Sequence, residues 1–467
     1  MSTLRAGTGR AIITPPVGMP MGGWSNALHE RSDGNDIDLT ATVLVVTDGN
    51  AAAAICEMDL CIITDAQAQA IREAITAATP IPLEATRVTA THNHSAPVTG
   101  ELTGGGWMRE GLESVEPYMT MVVELVAGAA REAWANMRPV TIGHGRGASP
   151  LAVNRRMTLP GIGIRVGHAW DGPTDPTVRV ARLDGEDGRA VATIVHYSAH
   201  PTILAGGNRF INPDYPGHVR RVVEWSLGGH CLFLQGTPGD IGPSESFVDD
   251  LEPYQRLGTM LGHDAAATAH RSTARHVRQR NADHQDPSTW LTFFEYEPQP
   301  AADSTLRVER RTIDMPLRED LGDATELRSQ HARLRSELIA AIDRAAEPME
   351  IRELRVQTKG ASMRAERAEA IGGKATHQME LHGLRIGPIS LVGIPMEPFI
   401  ELGLEIEARS PAPMTLVSGY TNGYRNYLPT EAEFAKGGYE VDIAPFQPEA
   451  AGLYVDASAG LLEALAD

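Results

Sequence analysis

The hydrophobic positions of this chain follow two different periods. Short runs rich in β-branched residues and closed by Gly, Pro or Asp predict strands: "TVLVVTD" from 42, "RVTATH" from 87, "TVRVARLD" from 177, "AVATIVHYSAH" from 190 and "HCLFLQG" from 230. "LTFFEYEP" from 291, "LRVERRTIDMP" from 306, "ISLVGIP" from 389 and "MTLVSGY" from 414 continue the series. Between them, apolar residues recur at helical spacing. "DAQAQAIREAITAAT" from 65 opens on an acidic cap, and "SVEPYMTMVVELVAGAAREAWANM" begins with Ser114 in the capping position. "PGHVRRVVEWSL" places Pro216 in a first helical turn. From 317 to 371 the chain becomes charged and alanine-rich. There Leu327, Leu334, Leu338 and Ile342 form one apolar stripe, and Pro348 breaks the helix. This stretch predicts a helical excursion from a sheet. The mixed order of elements predicts an α/β (mixed α+β) architecture of layered β-sheets flanked by helices, a single domain over residues 1–467.

Composition narrows the partners. At 467 residues, 42% hydrophobic and 22% charged, the chain can bury a large core. A formal net charge of −19 argues against nucleic acid and anionic membrane surfaces and is compatible with a small-molecule substrate. Cys56, Cys61 and Cys231 are too few and too irregular for a disulfide framework or a CxxC metal site. The opening "MSTLRAGTGRAIITPP" has no secretory apolar segment, and no run is long enough to insert stably in a membrane. A cytoplasmic location is expected, and a homo-oligomer is compatible with all of this.

Several motifs bear on chemistry. "VTATHNHSAPVTG", residues 88–100, carries His92 and His94; chance alone supplies roughly half of one such HxH pair in a chain with this many histidines. If the strand continued, both rings would share one face about 6.5–7 Å apart, suiting a metal ligand beside an acid or base. A polar loop is the alternative. In "VHYSAHPTIL", His196 reads as a core histidine with a satisfied hydrogen bond, and His200, at the strand end, as better placed for a site. Glu397, bracketed by Pro395 and Pro398, is either a helix-start acid or a ligand. Residues 419–442 crowd Tyr420, Tyr424, Tyr427 and Tyr439 among Gly and Asn in a protein that is only 5% aromatic, so they read as a binding loop. "ELTGGGWMREG" places Trp107 as a pocket wall or lid, and "LQGTPGDIGPSES" from 234 could cradle an anion with backbone amides. Neither a GxSxG elbow nor a dinucleotide fingerprint is present.

In this order, the motifs resemble the neutral/alkaline non-lysosomal ceramidase family, specifically its N-terminal catalytic domain. The resemblance runs from "GTGRAIITPPVGMPMGGW" through "THNHSAP", "VNRRM", "SAHPT" and "GIPMEPF" to "GYTNGYRNYLPTEAEFAKGGYE". It implies one zinc ion per chain held by His92, His200, Glu397 and Tyr427. It further implies His94 beside the metal as an acid, Arg155 and Tyr439 reaching the substrate carbonyl, and Asp59 as an outer partner of a ligand histidine. Two departures stand out. Gly242 occupies the position where the family carries a serine, with Ser244 nearby, and the family's C-terminal β-sandwich is expected to be absent. The implied function is a zinc-dependent hydrolase that uses metal-activated water to cleave an amide or ester bond in a small soluble substrate. The competing readings are a metal-dependent lyase or isomerase acting on a sugar-like acid, and a non-catalytic metal-stabilised binding protein.

Overall fold

The computed structural model describes residues 4–21, 23–24, 26–100, 108, 111–272, 279–297, 303–320 and 322–467. Its largest sheet has eight strands, in the order His230–Gln235, Ala190–Tyr197, Thr177–Gly185, Arg138–Ala148, Arg5–Ile12, Thr40–Thr47, Ala52–Met58 and Thr86–Ala90. The inner pairings are antiparallel, but the pair at each edge is parallel. The sheet curls back on itself, because its edge strand His230–Gln235 also packs against Thr40–Thr47, Ala52–Met58 and Thr86–Ala90. That curl brings the C-terminal ends of Thr86–Ala90 and Ala190–Tyr197 together. Gln235 fastens them: its Nε2 donates to Ala199 O at 2.7 Å and to Thr91 O at 3.4 Å.

Helices cover both outer surfaces. Val115–Ala135 lies so close to strand Arg5–Ile12 that a Cβ at Gly7 or Gly9 would come within 2.1 Å of a helix carbonyl. The "GTG" of the opening segment is thus a packing requirement. Asp65–Ala78 is capped by Thr64, which forms a reciprocal capping box with Gln67; the acid at 65 is in the first turn and pairs instead with Arg425. Ser114 makes no cap bond to its helix, and its hydroxyl donates to Gly111 O at 2.5 Å. Helices Asp214–Leu227 and Glu252–Arg271 pack on the other side.

A second sheet has four strands, in the order Leu306–Pro316, Thr376–Ile386, Ile389–Gly393 and Met414–Ser418, with the last pair parallel. Helices Ile400–Arg409 and Ala450–Ala466 back it. The expected excursion lies between its first two strands as a helical hairpin, Ala324–Asp343 and Pro348–Ile371. Pro348 ends nothing by itself. Ala345, at φ 50°, reverses the chain, and Pro348 opens a second helix that runs 24 residues. The run from 291 yields only Phe294–Tyr296, half of an isolated two-stranded ribbon with Gln279–Asn281. No described helix is long and apolar enough to cross a membrane.

Candidate metal centre and its cavity

The candidate side chains come from just beyond the C-terminal ends of strands, where open sheets with parallel pairs present binding groups. His92 follows Thr86–Ala90, His200 follows Ala190–Tyr197, Glu397 follows Ile389–Gly393, and Tyr427 follows Met414–Ser418. Tyr427–Leu428 then pairs in parallel with Glu397–Pro398, which fixes the carboxylate and the phenol side by side. The strand ends before the histidines. His92 has a left-handed backbone, φ 64°, so its ring and that of His94 do not share a pleated face but meet edge to face with centroids 4.9 Å apart. The sheet spacing expected for this pair is therefore replaced by a turn.

One oxygen or nitrogen from each of His92, His200 and Glu397 lies within 4.8 Å of the others. His200 Nε2 is 2.9 Å from Glu397 Oε2, and His92 Nε2 is 3.7 Å from Oε1. All three residues are buried. Burial pushes the His92 imidazole down to about 4, and also lowers His94 and His200, so these rings are neutral at ordinary pH. Each neutral ring has a single N–H. His92 Nδ1 donates it to Cys61 O at 2.8 Å, and His200 Nδ1 donates to Pro238 O at 2.6 Å. Both Nε2 atoms therefore turn bare lone pairs toward an anionic carboxylate. The hydroxyls of Tyr420 and Tyr424 donate to Glu397 and favour its charged form. Three acceptors facing one another repel unless a cation sits between them. The residues fit a divalent metal, and the two backbone carbonyls are the outer partners that orient ligand imidazoles.

Tyrosines complete the cage. The hydroxyls of Tyr420 and Tyr424 both donate to Glu397, the first at 3.1 Å, and the His92 ring stacks on Tyr420 at 4.2 Å between centroids. Tyr427 Oη lies 3.5 Å from His200 Nε2 and accepts a bond from Arg155 Nη2 at 2.9 Å. Arg155 in turn pairs with Glu440 at 3.0 Å, and Arg156 takes the other oxygen of that carboxylate at 2.6 Å. Burial works against the Arg155 charge, but Tyr427 and Glu440 beside it raise its proton affinity above the ordinary value.

The set opens on one side. A cavity of about 800 Å³ is lined by His94, Arg155, Tyr427 and Tyr439, so four of the expected site residues meet the same space. His94 Nε2 lies 3.3 Å from His92 Nε2, and its ring sits beside Trp24 at 5.2 Å. Gly242 is on the strand Ile241–Pro243, where a Cβ would stand 3.7 Å from Arg155 Cβ and 3.8 Å from Ser246 Oγ, ordinary contact distances. The site has room for a serine there and carries none. Ser244 is not among the lining residues; its N–H donates to Leu151 O at 2.7 Å.

Two expectations change. Asp59 touches neither His92 nor His200, whose Nδ1 atoms are taken by carbonyls. It accepts from Thr40 N at 2.8 Å and pairs with Arg220, which also holds Glu57, as a buried structural network. The loop from 234 is no anion cradle, because its amides are already used. Gly236, Gly239 and Ile241 donate to carbonyls at 2.9, 2.9 and 3.0 Å, and Asp240 accepts from Ile400 N at 2.8 Å. Trp107 lies outside the described residues. His196 is the core histidine expected of it, bonded to Val417 O at 2.9 Å. Sequence reasoning missed the hold of Tyr420 and Tyr424 on Glu397, although their crowding was a signal. It also missed Glu440 and the helical hairpin as a cavity wall, for which no local signal exists.

No protein-family model matches the chain. Among curated proteins it is similar to the neutral ceramidase of Mycobacterium tuberculosis, 24% identical over 392 residues that cover 76% of this chain. The chain spans 59% of the length of that relative. Among solved structures, "Ceramidase complexed with C2" superposes over 100% of this chain and 76% of its own, with a TM-score of 0.69 at 17% identity. The neutral ceramidase of Pseudomonas aeruginosa matches with a TM-score of 0.68 at 20% identity, covering 99% of this chain and 75% of its own. The chain thus has the neutral ceramidase fold and resembles that family along most of its length.

Proposed function

We propose that this protein is a zinc-dependent hydrolase that cleaves an amide or ester bond in a small soluble substrate. The observation that carries the reading is the buried cluster of His92, His200 and Glu397, set directly behind His94 and Tyr427, which line the cavity. His92, His200 and Glu397, with Tyr427 as a fourth donor, would hold the ion, and this mixture of imidazole and oxygen donors suits zinc. When bound, the ion supplies Lewis-acid polarisation and lowers the pKa of water at the site.

The chain's own residues do the rest. Trp24 and Phe247 shape one wall of the cavity and keep bulk water from the scissile bond. Arg155 and Tyr439 stabilise the charge that develops on the carbonyl oxygen, a contribution of about 3 kcal/mol per well-placed donor. Glu440 prevents Arg155 from swinging away by binding its other edge. His94, kept neutral by burial, first takes a proton from the attacking water and then passes that proton to the departing amine or alcohol. The similarity to proteins named as ceramidases supports amide hydrolysis as the reaction class.

The test is a panel of N-acyl and O-acyl compounds of graded chain length, incubated with zinc-loaded protein in oxygen-18 water. Hydrolysis places label in the released acid. Turnover of a compound without label in any product would overturn the reading.

A further inference from the structure

The far wall of the cavity is built by the helical hairpin and is not neutral. Lys359, one of three lysines in the chain, lines it together with Arg364, both from helix Pro348–Ile371. The Lys359 ammonium donates to Gly23 O at 3.2 Å. Gly23 itself rests on the backbone of His94, because a Cβ there would come within 2.3 Å of His94 O. The ammonium is thus held beside the His94 segment, and both side chains line the same cavity. Among the described residues neither Lys359 nor Arg364 has a carboxylate partner, whereas Lys436 pairs with Glu433 and Arg155 with Glu440. One acid, Asp442, also lines the cavity, and Arg318 and Arg367 lie close enough to feel its charge. In a chain of net charge −19, two cationic side chains on one cavity wall, neither paired with a carboxylate among the described residues, are an unusual arrangement. Apolar side chains, among them Leu334, Val356, Met363 and Phe247, line it too, alongside Gln330 and Gln357.

We infer that Lys359, assisted by Arg364, binds an anionic group carried by the substrate close to the scissile bond. The substrate class is then an acylated amine whose amine half bears a carboxylate, such as an N-acyl amino acid, with its apolar arm along the hairpin. This inference rests on the hydrolase reading for the reaction but on separate residues for recognition. An ammonium held by one carbonyl has donors to spare, and a carboxylate seated there forms charge-assisted bonds.

The experiment compares decanoylglycine with its neutral analogue decanoylglycinamide on zinc-loaded protein. In parallel, it measures calorimetric binding of their ketone isosteres, in which CH2 replaces the scissile amide NH. Wild-type protein is expected to favour the carboxylate at least about tenfold in kcat/KM and in affinity, a preference that falls toward unity in Lys359→Gln and survives in Lys359→Arg. An acyl aminomethylphosphonate tests whether a phosphonate satisfies the same wall. Equal handling of charged and neutral members by wild-type protein, or an undiminished preference in Lys359→Gln, overturns the anion site. If the isosteres discriminate by charge and no amide is cleaved, the hydrolase reading fails and the anion site stands.

Discussion

His92 has an uncommon backbone for a residue with a side chain, and that conformation points its ring at Glu397. Such strain costs about 1–3 kcal/mol and persists where surrounding structure holds it. If the strain serves a metal site, His92→Ala and His200→Ala should retain less than about a tenth of wild-type zinc by elemental analysis, since each removes a ligand. His94→Ala should keep its metal while turnover falls by about 10²–10⁴, the usual span for a lost proton donor. Tyr439→Phe should spare metal and lower kcat by about 10²–10³, as for other oxyanion donors. Full rate in either variant would remove that residue from the chemistry. At this scale much was legible. His92, His94, Arg155, His200, Glu397, Tyr427 and Tyr439 each lie in a short motif and come close together in space, although Arg155 is inside strand Ala152–Leu159 and Tyr439 opens helix Tyr439–Ile443. Asp59 misled because an acid at a strand end looks the same whether it faces a histidine or, as here, Arg220.

At the scale of elements, the hairpin of Ala324–Asp343 and Pro348–Ile371 matters most. Its apolar stripe was visible as a repeat of leucines, and Leu338 is fully buried in the main core cluster. Its place over the cavity was invisible, because nothing local says which face of a sheet an excursion crosses. Leu338→Ala should destabilise the protein by about 2–5 kcal/mol, read from denaturant unfolding. It should also raise KM through loosening of the wall that carries Lys359, with zinc content unchanged. An unaltered KM would separate the hairpin from the site. The strands Arg138–Ala148 and Thr376–Ile386 were likewise missed, since charge and glycine mask their alternation until sheet neighbours are known.

Across the whole molecule, buried neutral histidines set the response to acid. Burial lowers His196 to about 4 and His382 to about 3, against an ordinary value near 6.5 when unfolded. Below about pH 6.5 the unfolded chain therefore binds protons that the folded chain does not, and stability falls as pH drops through that window. The loss should be on the order of 1–2 kcal/mol per histidine between about pH 7 and 5, and His196→Asn should flatten the slope of denaturation midpoint against pH. Acid should release metal only below that range, near the value of about 4 to which burial pushes His92, because protons compete there for its lone pair.

The most direct measurement is zinc-edge X-ray absorption on protein loaded with one equivalent of the ion. Cys61 lies near the same histidines and, with His92 and His94, forms a rival donor group. The account predicts imidazole nitrogen and oxygen scatterers only, at about 2.0–2.2 Å, with an oxygen shell that changes when a carboxylate ligand is added. A sulfur scatterer near about 2.3 Å, or failure to retain zinc at all, would contradict it.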